Sequence, residues 1–261
     1  MMNRFLLLCL LWCAQAWALY NGNPSFPMMP DGGVFAKDAY VTLKTGYEFD
    51  DVFKQQMHVS KPQNDQKRGV QEFKTLGNFG AIKLVISDRV EIYSMLGTMS
   101  AKISQKPYDG IKIHYKANPH FAWSIGGRTI LAYWGNTQLG MNAGYLRYQP
   151  HLNQIKVNGS TYSSSGAELQ YWEWQVGAGV SHRIGMLVPY VGGYYAQSEA
   201  DFLYLNSLKS IIPGRHFLLK SSKNPGVAVG CGFAPNRGFT VNVEGRFINQ
   251  TALSASAEIK F

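Results

Sequence analysis

Between Gln170 and Ser181 the chain changes character at every second residue. Trp172, Trp174, Val176, Ala178 and Val180 share one parity, and Tyr171, Glu173, Gln175, Gly177, Gly179 and Ser181 share the other. A strand sends successive side chains to opposite faces, whereas a helix would scatter both sets around its axis. The pattern recurs in Phe239, Val241, Val243 and Phe247 against Thr240, Asn242, Glu244 and Arg246. It recurs again in Leu253, Ala255, Ala257, Ile259 and Phe261 against Ser254, Ser256, Glu258 and Lys260. In 121–134 the apolar face is Phe121, Trp123, Ile125, Leu131 and Tyr133, with Arg128 on the opposite side. Period two therefore rules the chain beyond about residue 37.

Ten strands are predicted near 38–49, 74–87, 89–103, 119–134, 137–150, 167–182, 186–200, 217–234, 237–248 and 251–261. Short turns at Ser87-Asp88-Arg89, Gly135-Asn136, His182–Gly185 and Pro235-Asn236 alternate with long polar segments near 50–73, 104–118, 151–166 and 201–216. The last hairpin, at Asn249-Gln250, is short. This rhythm is that of an all-β, transmembrane up-and-down antiparallel β-barrel of the outer-membrane type, with about 10 strands, short periplasmic turns and longer external loops.

Composition decides which face meets which solvent. Only 16 % of the 261 residues are charged, while 46 % are apolar and 13 % aromatic; soluble domains carry about 25 % charge. A soluble β-sandwich would turn the apolar parity inward, and an outer-membrane barrel turns it outward. Glycine, serine, asparagine and charged residues on the other parity suit a wet lumen better than a water-facing exterior. Phe121, Trp123, Tyr133, Trp172, Trp174, Phe239, Phe247 and Phe261 lie near strand ends on the apolar face, where amphipathic rings form girdles at headgroup level. A mean hydropathy of −0.16 excludes a bundle of transmembrane helices.

The first residues read as an export signal. Arg4 opens it, Phe5 to Trp12 is its apolar core, and Ala16-Trp17-Ala18 supplies the small-x-small cleavage pattern. The expected organisation is a signal peptide over 1–18, cleaved after Ala18, a proline-marked leader over 19–37 short enough to tuck into the lumen, and a barrel over 38–261. Cys9 and Cys13 leave with the signal, and Cys231 remains alone. One cysteine can make neither an internal disulfide nor a four-ligand zinc site.

The inward parity offers Lys44, Lys83, Arg128, Arg246 and Lys260 against Glu48, Glu173, Glu244 and Glu258, with Gln175 among them. As the wall of a pore, five bases against four acids favour anions weakly; as the filling of a closed interior, the same groups form ion pairs. Gly46, Gly126, Gly140, Gly144, Gly177, Gly179, Gly230 and Gly232 also face inward, and they either leave room for water or ease strand bending. No cofactor is expected. The histidines show no paired ligand spacing, Gly-x-Ser-x-Gly is absent, and no Ser, His and acid set shares a strand face, so no enzyme is expected.

Several segments resemble the chlamydial major outer membrane protein porins. They are Gly22-Asn23-Pro24-Ser25-Phe26-Pro27 with Asp31-Gly32; Glu173-Trp174-Gln175, Ser181-His182-Arg183 and Met186 through Pro189-Tyr190-Val191-Gly192; and Gly226-Val227-Ala228-Val229-Gly230, Thr240-Val241-Asn242-Val243-Glu244 and the closing Phe261. Weaker similarity runs through Trp123-Ser124-Ile125-Gly126 and Val90-Glu91-Ile92-Tyr93. The resemblance implies an outer-membrane barrel passing small solutes. The chain is shorter than the family's usual members and poor in their cysteines, which puts a disulfide-crosslinked envelope role in doubt. The partners expected are outer-membrane lipid, the barrel-insertion machinery reading the C-terminal strand that ends in Phe261, small solutes and an open choice of homo-oligomer, with no nucleic acid. The alternative is a non-conducting surface barrel or adhesin acting through its long loops.

Overall fold

A computed structural model describes residues 22–26, 41–62, 67–209, 211, 217–236 and 238–261. The expected signal over 1–18, and all of the 19–37 leader except 22–26, lie outside the described residues. The strands are β1 (Val41–Gln55), β2 (Met57–Val59), β3 (Val70–Ile86), β4 (Val90–Tyr108), β5 (Ile111–Trp134), β6 (Thr137–Tyr148) and β7 (Gln154–Val157). They continue as β8 (Ser160–Tyr162), β9 (Glu168–His182), β10 (Leu187–Leu203), β11 (Phe217–Ser221), β12 (Pro225–Asn236), β13 (Phe239–Phe247) and β14 (Gln250–Lys260).

Ten of these form a closed ring in the order β12-β13-β14-β1-β3-β4-β5-β6-β9-β10, and pairing of β10 with β12 seals it. Every adjacent pair is antiparallel, as consecutive hairpins require. The first strand meets the last at Lys44↔Lys260 and Gln55↔Gln250. Tight turns stand at one end: Ser87 and Asp88 adopt φ of 50° and 51°, the left-handed pair that a two-residue hairpin turn needs. The longer connections stand at the opposite end.

Sidedness is that of a membrane barrel. Val176 and Val243 are 43 % and 46 % exposed, while their strand neighbours Glu173 and Glu244 are 2 % and 0 % exposed. Ile82, Leu84, Ile92, Leu96, Ile125, Val191 and Leu253 likewise point outward. Such a surface is stable only against hydrocarbon.

Three expectations are corrected. Of the segments read as long polar loops, 104–118 is a strand hairpin, with β4 and β5 running to a turn at Asp109-Gly110, and about half of 50–73 is the end of β1, β2 and the start of β3. By contrast, 151–166 holds only the short strands β7 and β8, and the described part of 201–216 holds as strand only the last residues of β10. Their outward lysines gave them a loop-like polarity, but their inward residues Phe73, Ile113, Tyr115, Ile155 and Phe202 are buried. The single strand expected over 217–234 is two, because Ser222–Asn224 break it and β11 pairs with β10 and β2. Pro225, lacking an N–H, then opens β12. Finally, β12 passes Pro235-Asn236, and the turn falls at Gly238, φ +83°.

Candidate functional site

The barrel interior is the candidate site. All ten residues expected on the inner wall, Lys44, Glu48, Lys83, Arg128, Glu173, Gln175, Glu244, Arg246, Glu258 and Lys260, point inward and are at most 5 % exposed. Two inward acids escaped the sequence reading. Asp50 continues the parity of Glu48 but fell within a segment read as loop, and Glu91 lies on a strand whose inner face, Tyr93, Met95 and Met99, is itself apolar. Among the described residues the buried charges therefore number five bases and six acids. The excess of positive charge expected inside is not there.

Nearest the tight turns, Lys44 Nζ stands 2.9 Å from Glu91, Lys83 Nζ 2.6 Å from Glu258, and Arg128 3.2 Å from Glu91. Lys44–Glu258 and Lys83–Glu48, each at 3.9 Å, cross-link these pairs into one network. Further along the axis Arg246 pairs with Asp50, stands 3.6 Å from Glu244 and donates to Ser254 at 2.9 Å. A third group joins Gln55 to Glu173 and Ser198, both at 2.8 Å, while the Tyr171 hydroxyl donates to Glu173. Lys260, at the rim, reaches Asp88 at 3.1 Å. Buried charges are tolerated only with such partners.

Gly22–Phe26 lies inside this end of the barrel. The Gly22 N–H donates to Glu244 at 2.9 Å, Asn23 donates to the Val188 carbonyl at 3.0 Å, and the Ser25 and Ser181 hydroxyls meet at 2.5 Å. The Phe26 carbonyl accepts from Lys44, and its ring lies 5.2 Å from the Arg128 guanidinium and 5.8 Å from Lys83 Nζ, within cation–π range. Pro24 sits against Gly140 and Gly179, where a Cβ would come within 3.1 Å of it. A hollow lined by Asn23, Phe26, Gln138, Arg183, Val188 and Thr240 flanks the segment.

The space beside Gly46, Gly126, Gly140, Gly179, Gly230 and Gly232 is therefore filled by neighbouring protein atoms. Tyr93 covers Gly126, Tyr190 covers Gly230 and Tyr194 covers Gly226, each with ring atoms within 2.6 Å of an added Cβ. Beyond the charged layers, at the end of the longer connections, the interior turns apolar. Phe73, Ile103, Tyr115, Tyr148, Tyr171, Phe202, Phe217 and Leu219 belong to one buried cluster, with the Phe202 and Phe217 rings stacked at 4.5 Å.

On the outside, Phe121, Tyr133, Phe239 and Phe247 are exposed, and Trp123, Trp172, Trp174 and Phe261 are half-buried. Trp123 stands against Tyr145 and Trp174 against Tyr195, each at 5.7 Å. Tyr145 and Tyr195 share the outward parity. Tyr133, Phe239 and Phe261 stand toward the tight turns and the others toward the longer connections.

A closed antiparallel cylinder with a hydrocarbon-facing exterior and a charged interior defines a transmembrane β-barrel of the outer-membrane type. Its sequence kin are consistent with that class. The profile of the family described as Chlamydia major outer membrane protein matches residues 158–213. A major outer membrane porin of Chlamydia pneumoniae is 23 % identical over 78 % of this chain and 74 % of its own length. That of Chlamydia abortus is 23 % identical over 72 % and 66 %, and that of Chlamydophila psittaci 24 % over 57 % and 54 %. The resemblance to the chlamydial major outer membrane protein family thus stands at family level. Among solved structures, the outer membrane protease OmpT of Escherichia coli aligns over 84 % of this chain and 94 % of its own, with 15 % identity and a TM-score of 0.44. The β domain of a Bordetella autotransporter aligns over 85 % and 99 %, with 11 % identity and a TM-score of 0.42.

Proposed function

We propose that the protein is a porin of the outer membrane, passing small solutes or ions through the barrel axis and held closed at rest by its own N-terminal segment at one end and the apolar cluster around Phe202 and Phe217 at the other. The observation that carries this reading is the charged inner wall with Gly22–Phe26 lodged against it. A wall of ionised and hydrogen-bonding groups costs folding energy unless paired, and it becomes a solute path when the segment filling it withdraws and the apolar cluster around Phe202 and Phe217 at the opposite end parts with it. The names of the relatives support the porin role. In this reading a signal peptide over 1–18 is removed after Ala18, the leader over 19–37 supplies the plug, and the barrel follows. Lipid surrounds the barrel, the insertion machinery recognises the strand ending in Phe261, and subunits are free to associate as homo-oligomers. The protein carries no catalytic activity.

Planar-bilayer recording tests this. The intact protein is expected to give small or rare conductance steps, and a variant lacking residues 22–26 frequent, larger ones. Silence from both, with folding verified by heat-modifiable gel mobility, overturns conduction and leaves the non-conducting surface barrel, whose binding partners would be sought at its long connections.

A further inference from the structure

On the outer wall, toward the longer connections, β3, β4 and β5 place lysines opposite one another. Lys74 pairs in register with Lys102, and Lys102 with Lys116. Directly opposed residues stand about 5 Å apart at Cβ, and like charges there are destabilising. All three side chains are exposed. On β3 Lys74 follows directly on Leu76, while short polar stretches, Thr98 and Ser100 on β4 and Asn118 to His120 on β5, separate Lys102 and Lys116 from the apolar Leu96 and Phe121. The next rung, Glu72, Ser104 and His114, borders a hollow of about 400 Å³ lined by Lys54, Lys74, Lys112, Ser104, Glu72 and the outward-facing Phe53. The described acids near this face are few. Glu72 is paired with Lys74, Asp109 with Lys67, and Asp51 stands alongside. Ser104 is 3 % exposed, and its hydroxyl has no hydrogen-bond partner among the described residues.

We infer that this hollow and its lysine ladder form a binding site for the phosphorylated headgroup of an outer-leaflet saccharolipid. Multiple ammonium groups spread over neighbouring strands match an anion carrying more than one phosphate. Ser104 supplies a hydrogen-bond partner at the base, and Phe53 stands at the apolar margin where acyl chains begin. The position, a short polar step past the hydrocarbon band, is where headgroup phosphates lie. A bound phosphate converts the repulsive ladder into a stabilised one. The inference rests on the membrane placement of the barrel and is independent of conduction.

Native mass spectrometry of the full chain in micelles tests it, using a diphosphorylated glucosamine-disaccharide lipid, phosphatidylglycerol and inorganic phosphate as separate probes. The disaccharide lipid is expected to be retained most strongly. Its apparent affinity is expected to fall at least about tenfold in a Lys74→Gln, Lys102→Gln, Lys116→Gln variant and to stay unchanged in Lys223→Gln. If the triple variant does not fold, Lys54→Gln with Lys112→Gln serves the same purpose. Equal retention of phosphatidylglycerol, binding of inorganic phosphate alone, or indifference to both lysine variants overturns the proposal.

Discussion

Arg246 shows how a side chain that sequence periodicity places correctly acquires its main counter-charge from a residue far along the chain, Asp50, 196 positions away. It is fully buried, and its partners Asp50 and Glu244 come from opposite sides of the barrel seam. Arg246→Met leaves these carboxylates without their counter-charge and is expected to destabilise the barrel by about 3–5 kcal/mol. Adding Asp50→Leu is expected to restore part of that loss, because one of the two unmatched carboxylates is then gone and Glu244 keeps its hydrogen bonds from the Gly22 N–H and the Tyr190 hydroxyl. Thermal loss of heat-modifiable mobility measures both, and an Arg246→Met barrel as stable as the parent contradicts the assignment. Cys231 is an outward, exposed residue of β12 beside Val229 and Phe233. In lipid it is expected to react with a membrane-soluble maleimide and to resist a water-soluble one; rapid labelling by the latter would contradict its place in the hydrocarbon band.

At the level of elements, the N-terminal segment and the strands it touches are matched by absent side chains. Gly140 and Gly179 admit Pro24, and no larger residue fits without moving it. Gly179→Val is expected to expel Gly22–Phe26 and raise conductance several-fold. Gly193→Val, whose added Cβ has only a 3.9 Å contact with a carbonyl, should leave conductance unchanged. Equal behaviour of the two variants in bilayers would remove the plug. The outer ends of β3, β4 and β5, within 50–73 and 104–118, read as loops for a related reason: Gln71, Lys112 and Lys116 advertise water, while Phe73, Ile113 and Tyr115 build a core. Local polarity cannot separate a loop from a strand whose two faces meet water and a packed interior.

For the molecule as a whole, charge is divided by the wall. Inside, the described buried groups are five bases and six acids, although the chain carries a net +9; exposed lysines toward the longer connections contribute to the surplus. An open barrel is therefore expected to show no anion preference, with a reversal potential in a salt gradient at zero or displaced toward the cation. Arg128→Glu should move it further the same way. A wild-type shift toward the anion would contradict the charge balance of the lumen.

The alternation of Trp172 through Ser181, and its repeats toward Phe261, determined the strands, their two faces and the outer-membrane class, because strand geometry allows one side chain per face per step and hydrocarbon accepts only one of those faces. The ten inner-wall residues followed from the same parity. Tertiary structure alone decided which of them pair, since Lys83 meets Glu258 across 175 positions of sequence. It also decided that tyrosine rings and Pro24 occupy the glycine spaces, and that Phe202 and Phe217 cap the charged interior. Those contacts depend on curvature and closure of the ring, which bring remote residues to a common axis and leave no trace in local periodicity.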